Sequence, residues 1–387
     1  MNGALSGSPA PALWRTRAAK PGQIMAALDL GTNNCRLLIA RQGASGYQVI
    51  DAFSRIVRLG EGVSQSGRLS PEAMDRTVEA LKICAAKMER RGVSLARAVA
   101  TEACRRAENC GGFVDRVREE AGIALDIITS GEEADLAFKG CTPLLDRNVA
   151  QAIVFDIGGG STELGWLRLK AGRPPHMVAW HSMPFGVVSL TEEFGAEAAE
   201  GDNPMAFYRR MVDKVAAELD PFRRAIGAGR LISEGAVQML GTSGTVTTLA
   251  GIQLGLARYE RSLVDGSFLR FGDVERISSD LARRDCRGRA TLPCIGIERA
   301  DLVLSGCAIL SAICKIWPVG TLRVADRGVR EGILMSLMTG TAPDTVYGDD
   351  AEMDETNNPV PPRDPGAHDR GETASHTPAD LIAASDF

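Results

Sequence analysis

Short apolar runs broken by glycine turns set the rhythm of this chain. Ile153 to Asp156 reads as a buried strand, runs into Gly158-Gly159-Gly160, and is followed by a second strand, Ser161 to Leu169. The same grammar occurs earlier. An apolar strand near 26–30 ends at Asp29, a Gly31-Thr32 turn follows, and a strand spans Cys35 to Ala40. Further strands are expected near 47–53, 96–100, 124–128, 176–183 and 320–324. Helical spacing marks Pro71 to Arg91, where Ser70 is the N-cap, Pro71 the first turn, and Met74, Val78, Leu81 and Ala85 one face. Helices are also expected over 204–224, 299–317 and 328–338. Arg283, Arg284, Arg287 and Arg289 fall in an apparent loop, read either as a solvated surface or as a patch that tracks a polyanion.

Glycine turns of this kind leave backbone N–H groups uncovered by any Cβ, so a phosphate can approach them closely. Asp156 and Glu163 flank the triple-glycine turn, a natural place for a divalent cation, and Asp29 occupies the matching position in the first hairpin. The two aspartates lie 127 positions apart, which suggests a duplicated domain. A third turn, Leu240-Gly-Thr-Ser-Gly-Thr245, precedes a helical segment.

Together the three motifs resemble the actin, sugar-kinase and heat-shock ATPase superfamily. Five segments narrow the resemblance: Asp29 to Arg36, Ala100 to Arg105, Ile127 to Ala134, Asp156 to Glu163, and Arg299 to Gly306 with Arg327 to Ile333 after it. In this order they resemble the exopolyphosphatase / guanosine pentaphosphate phosphatase family over about residues 25 to 340. The resemblance implies an α/β fold of two duplicated ribonuclease H-like (actin-like) domains. Each would be a mixed sheet of five-stranded type flanked by helices, with the active site in the cleft between them. The domains would span 25–149 and 150–340, in a short form without a further C-terminal domain.

The same resemblance places the catalytic base on Glu133, where it would deprotonate the attacking water, and a phosphate contact on Arg105. Glu132 and Arg106 read as an ordinary helix-start acid and a solvated arginine. Asp135 departs from the family, which often has arginine there. Phosphate would be cradled by Gly31, Thr32, Asn33, Arg36, Gly158, Gly159, Gly160, Ser161, Thr162 and Gly244. Mg²⁺, or Mn²⁺ in its place, would be held by Asp156, Glu163 and Asp29. The substrate would be inorganic polyphosphate, with guanosine pentaphosphate as the alternative. A kinase of the sugar or acetate type and a non-catalytic nucleotide-binding regulator use the same hairpins, but the Glu133 and Arg105 segments fit a phosphatase better. His181 reads as structural.

Composition changes this picture only at the margins. An apolar content of 44% and a charged content of 24% are ordinary for a globular chain. No run is long and apolar enough to span a bilayer. Nine cysteines without a CxxC pair, and four histidines, argue for reduced thiols in a cytoplasm and against a zinc site. From Asp349 onward ten acidic and two basic residues give −8, so residues 1–348 carry +3 of the total −5. The body therefore has no global field for nucleic acid or membrane, and a polyanion must be met by local clusters. The ends, 1–24 and 341–387, are expected to be a disordered leader and a disordered acidic tail. A homodimer is compatible with the sequence, which does not fix the oligomeric state, the chain-length preference, or whether translation starts at Met1 or Met25.

Overall fold

Strand β1 (Ile24–Leu30) alternates little because both of its faces are covered, and Met25, Ala26 and Ala27 are fully buried. It pairs antiparallel with β2 (Asn34–Gln42), which pairs antiparallel with β3 (Tyr47–Ile56). On the other side β1 pairs parallel with β4 (Leu95–Ala100), and β4 with the two-residue β5 (Asp126–Ile127). The second half repeats the plan. Strands β6 (Gln151–Ile157), β7 (Thr162–Arg168) and β8 (His176–Met183) form the antiparallel meander. Strands β9 (Val237–Thr242) and β11 (Thr321–Ala325) then add in parallel. The order β3-β2-β1-β4-β5 is thus matched by β8-β7-β6-β9-β11, which is the duplication read from the two aspartates. One difference stands. The second sheet has a sixth strand, β10 (Phe268–Arg270), because the chain before β11 folds back as an antiparallel edge.

The structure is a computed structural model and describes residues 18–44, 46–195 and 203–340. Residues 1–17 of the expected leader and the whole expected acidic tail, 341–387, lie outside the described residues. The leader's remaining stretch is ordered, contrary to expectation. The Ala19 N–H donates to Leu337 O at 2.9 Å, and Ala19 is buried in the core.

Helices cover both sheets. They are α1 (Pro71–Arg90), α2 (Cys110–Ala121), α3 (Ser130–Cys141), α4 (Val187–Phe194), α5 (Pro204–Ile226), α6 (Gly244–Gln253), α7 (Phe271–Arg283), α8 (Val303–Ile316) and α9 (Val329–Thr339). Ser70 caps α1 by accepting from the Ala73 N–H, as its position foretold. The chain's last helix, α9, returns to pack on α3 and on β1 of the first half. A shared apolar cluster therefore joins the halves, with Met25, Leu38 and Phe138 meeting Val154, Leu240 and Ile333. Among the described residues no helix is long and apolar enough to cross a membrane.

Candidate active site

The two hairpins face each other across the cleft, and their pairing registers are equivalent. Asp29 is opposite Arg36 on β1 and β2, and Asp156 is opposite Glu163 on β6 and β7. The copies share the aspartate and differ in its partner's charge. Each turn closes with one bond: Gly31 N–H to Asn34 O and Gly158 N–H to Ser161 O, both 2.9 Å. The turn carbonyls point outward. Thr32 O accepts from the Gly60 N–H at 2.8 Å, and Asn33 O from the Val57 N–H at 2.9 Å. In the second hairpin Gly158 O and Gly159 O accept from the N–H groups of Val187 and Val188 at 3.0 and 2.7 Å, while Gly160 O takes the Ser189 hydroxyl. A trans peptide points its C=O and N–H in opposite directions. The N–H groups of Asn33, Gly159, Gly160 and Ser161 therefore point away from those partners, in residues that line the cleft, and none has an acceptor among the described residues. Glycine is required by proximity: a Cβ on Gly159 would stand 2.8 Å from Thr32 Cβ of the opposite hairpin. Ser243 adds a third cradle by capping α6 through the Val246 N–H, with Gly244 and Thr245 lining the same cleft.

Glu133 enters from the start of α3, where Thr129 caps the helix through the Glu132 N–H. The adjacent glutamates part company. Glu132 is held by Arg97, whose side chain is only 2% exposed, while Glu133 lines the cleft and accepts from Arg105 Nη1 at 2.8 Å. Arg105, expected to contact phosphate, is brought beside Glu133 but faces protein: its other bonds run to Glu102 and to Ile128 O. Arg106 lies outside, 41% exposed.

Four carboxylates crowd this space. Burial pushes Glu133 up to about 8, with Glu163 adding to the rise and Arg105 opposing it. Burial, then the charge of Glu133, lifts Asp156 to about 7. Glu163 is lifted to about 7 by burial, against the hydroxyl of Ser161 that bonds it. Asp29 is raised by burial and held down in part by Arg36 and Arg330. The nearby arginines offset this crowding only in part, and a divalent cation would offset it further. Among the described residues no three metal-ligating side chains converge on one point. Mg²⁺ needs no such cage, because it keeps waters and takes one or two carboxylates plus phosphate oxygens. Asp29 and Asp156, which line the cleft, fit that role. Glu163 does not stand with them. Its Oε1 already accepts from Ser161 at 2.7 Å and Ser182 at 3.1 Å, behind the cleft wall. Thr162 is also removed from the cleft: it is fully buried and its hydroxyl donates to Phe185 O.

The site gains residues that sequence reasoning gave no role. Arg299 lines the cleft beside Arg36, and neither makes an ion pair among the described residues. Burial lowers the pKa of Arg299, and Arg36 lowers it further. Arg330 sits beneath, near Asp29. The signal was an arginine opening the apolar stretch of 299–317. Ser182 had no comparable signal, and Glu102 stood within the Ala100 to Arg105 segment without a role. The basic cluster, by contrast, is not a loop: it straddles the end of α7 and the short helix Cys286–Ala290. Arg284 pairs with Asp280, and Arg289 donates to the carbonyls of Leu281, Arg284 and Ala300. Two of the four arginines are therefore bound up in the fold. His181 stacks on Phe222 at 5.4 Å, away from the cleft.

Comparisons with known proteins agree with this geometry. The Ppx/GppA phosphatase family matches residues 38–340. The chain is 31% identical to exopolyphosphatase 2 of Mycobacterium tuberculosis over 326 residues, 81% of this chain and 98% of that protein. Among solved structures it resembles a Ppx/GppA family member from Aquifex aeolicus, with 28% identity, a TM-score of 0.67, and 81% and 97% of the two chains covered. It also resembles an exopolyphosphatase from Cytophaga hutchinsonii, with 25% identity, a TM-score of 0.73, and 83% and 99% covered.

Proposed function

The chain belongs to the Ppx/GppA phosphatase family, whose members hydrolyse phosphoanhydrides, and from that premise we propose that it is an exopolyphosphatase. The observation that carries the reading is the pair of hairpins whose unpartnered amides belong to residues that line one cleft with Glu133. Phosphoryl transfer asks mainly for positioning and for neutralisation of the phosphoryl oxygens. Amides of Asn33, Gly159, Gly160 and Ser161 hold the terminal phosphate. Arg36 and Arg299, which make no ion pair among the described residues, take the following units. Glu133 orients a water, accepts its proton as the oxygen attacks terminal phosphorus, and the shortened chain departs with the bridging oxygen. A divalent cation held by Asp29 and Asp156 would neutralise charge on the phosphoryl oxygens.

Polyphosphate is favoured over guanosine pentaphosphate by the walls. Among the described residues that line the cleft none is aromatic, so no aromatic ring there stacks a base. The test is phosphate release, without any acceptor, from long polyphosphate and from guanosine pentaphosphate side by side, with and without EDTA. Higher kcat/KM on polyphosphate and loss of activity in EDTA are expected. Preference for the nucleotide would reverse the substrate assignment, and full activity in EDTA would remove the metal from it.

A further inference from the structure

We propose that Glu102 is a positioning residue that acts through Arg105, holding that guanidinium on the base and away from the substrate. The proposal rests on the reading of the cleft as a phosphoanhydride hydrolase. An arginine has five N–H donors in a rigid fork. In Arg105 Nε and Nη2 reach Glu102 Oε2 at 3.2 and 2.9 Å. Nη1 reaches Glu133 Oε2 at 2.8 Å and Ile128 O at 2.9 Å. Four of the five donors are thus committed inside the protein, and the three side chains are only 13–17% exposed.

A carboxylate in a cleft that binds a polyanion is repulsive unless it has a task. Glu102 lines the cleft, and a Cβ on Gly160 of the second hairpin would stand 2.8 Å from its Cγ. Its side chain is therefore wedged between Arg105 and the phosphate cradle. From there it turns the guanidinium toward Glu133 and balances its charge. Two effects follow. Glu133 is fixed in orientation, which serves the transition state. Arg105 is withheld from ground-state phosphate, which weakens substrate binding. Removing the carboxylate should therefore lower kcat and KM together, a split that simple structural damage does not produce.

The experiment is steady-state phosphate release from long polyphosphate by the full chain and by Glu102→Gln, Glu102→Asp, Arg105→Met and Glu102→Gln/Arg105→Met. Thermal unfolding of each shows whether it is folded. Glu102→Gln is expected to lose between about ten- and a hundredfold in kcat, the scale of a misplaced catalytic group, while its KM falls. Glu102→Asp should recover part of the kcat. In the Arg105→Met background Glu102→Gln should add little, because a residue that acts through another has no effect once the other is gone. An unchanged kcat, a raised KM, or full additivity in the double variant would each overturn the proposal. If Glu102→Gln fails to fold, the comparison of Glu102→Asp with wild type decides, since a shortened carboxylate must cost kcat without raising KM. A wild-type chain that releases no phosphate from polyphosphate would instead overturn the hydrolase reading, and the role of Glu102 with it.

Discussion

At the scale of single residues, the cleft concentrates protons as well as charge. Glu133 at about 8 and Asp156 and Glu163 at about 7 are carboxylic acids raised chiefly by burial. A base must be deprotonated to act, so activity should rise with pH through neutrality, well above the ordinary carboxylate range. Stability runs the other way. Between the ordinary glutamate value of 4.5 and about 8 the folded protein holds protons that the unfolded chain has released. Fewer protons are then bound unfolded than folded, the slope of unfolding free energy with pH is negative, and stability falls as pH rises through that window. Glu133→Gln removes one such group. It is expected to lower kcat by roughly 10²–10⁴-fold and to flatten the fall of Tm between pH 5 and 8. The pH series of melting curves, with kinetics beside it, checks both. A variant with near wild-type kcat would remove Glu133 from the base's role. Glu132→Gln is the contrasting change, because it strips a partner from buried Arg97 and leaves the cleft intact.

At the scale of elements, the crossing of α3 and α9 joins Glu133 to the second hairpin's surroundings. The two helices meet backbone to backbone. A Cβ on Gly332 would lie 1.9 Å from Leu136 O, and one on Gly140 would lie 2.2 Å from Gly328 O. Gly328 in turn borders Asp156, and Glu331 Oε2 accepts from the Gly328 N–H at 2.9 Å. Gly332→Ala is therefore an overpacking change between rigid backbones, expected to cost about 1–3 kcal/mol and to lower activity by shifting α3. Gly272→Ala is the matched control, since nothing lies within 4 Å of its Cβ in α7. Alanine there should be neutral or add up to about 1 kcal/mol of helix propensity. Denaturant melts of the two variants make the comparison. Equal stability would show that the crossing relaxes at no cost.

At the scale of the whole molecule, the halves also touch at the cleft rim. Arg58, with φ of 48°, adopts a left-handed backbone and reaches Asp301 at 3.0 Å and Glu298 O at 3.2 Å. Nearby, Glu192 of α4 accepts from the Gly62 N–H at 2.8 Å and from the Ser64 hydroxyl. These exposed contacts are each worth up to about 1 kcal/mol. That is too little to hold the fold and enough to bias the separation of the halves. Arg58→Ala and Glu192→Ala together are expected to raise KM for polyphosphate a fewfold with Tm nearly unchanged. A drop in Tm with unchanged KM would make the rim structural instead.

The sequence by itself determined the elements and the hairpins. Strand, turn and cap signals act over a few residues, so Asp29 and Asp156, the glycine turns and the Ser70 cap were legible locally, and the duplication followed from their repetition. Tertiary structure decided the rest. Whether Glu132 or Glu133 lines the cleft depends on buried Arg97, which claims one of them from another strand. Arg105 reads as a phosphate ligand until Glu102 and Glu133 are seen to occupy its fork. Glu163 flanks the triple-glycine turn in sequence, but the fold buries it behind the cleft wall with Ser182 bonded to it from β8. Arg36 and Arg299 are 263 positions apart in the chain, and α9 returns to the first half after the whole of the second. A local pattern states what an element is, but the partners of a charged side chain are set by what folding brings beside it. In a dry cleft those partners determine its charge, its direction and therefore its role.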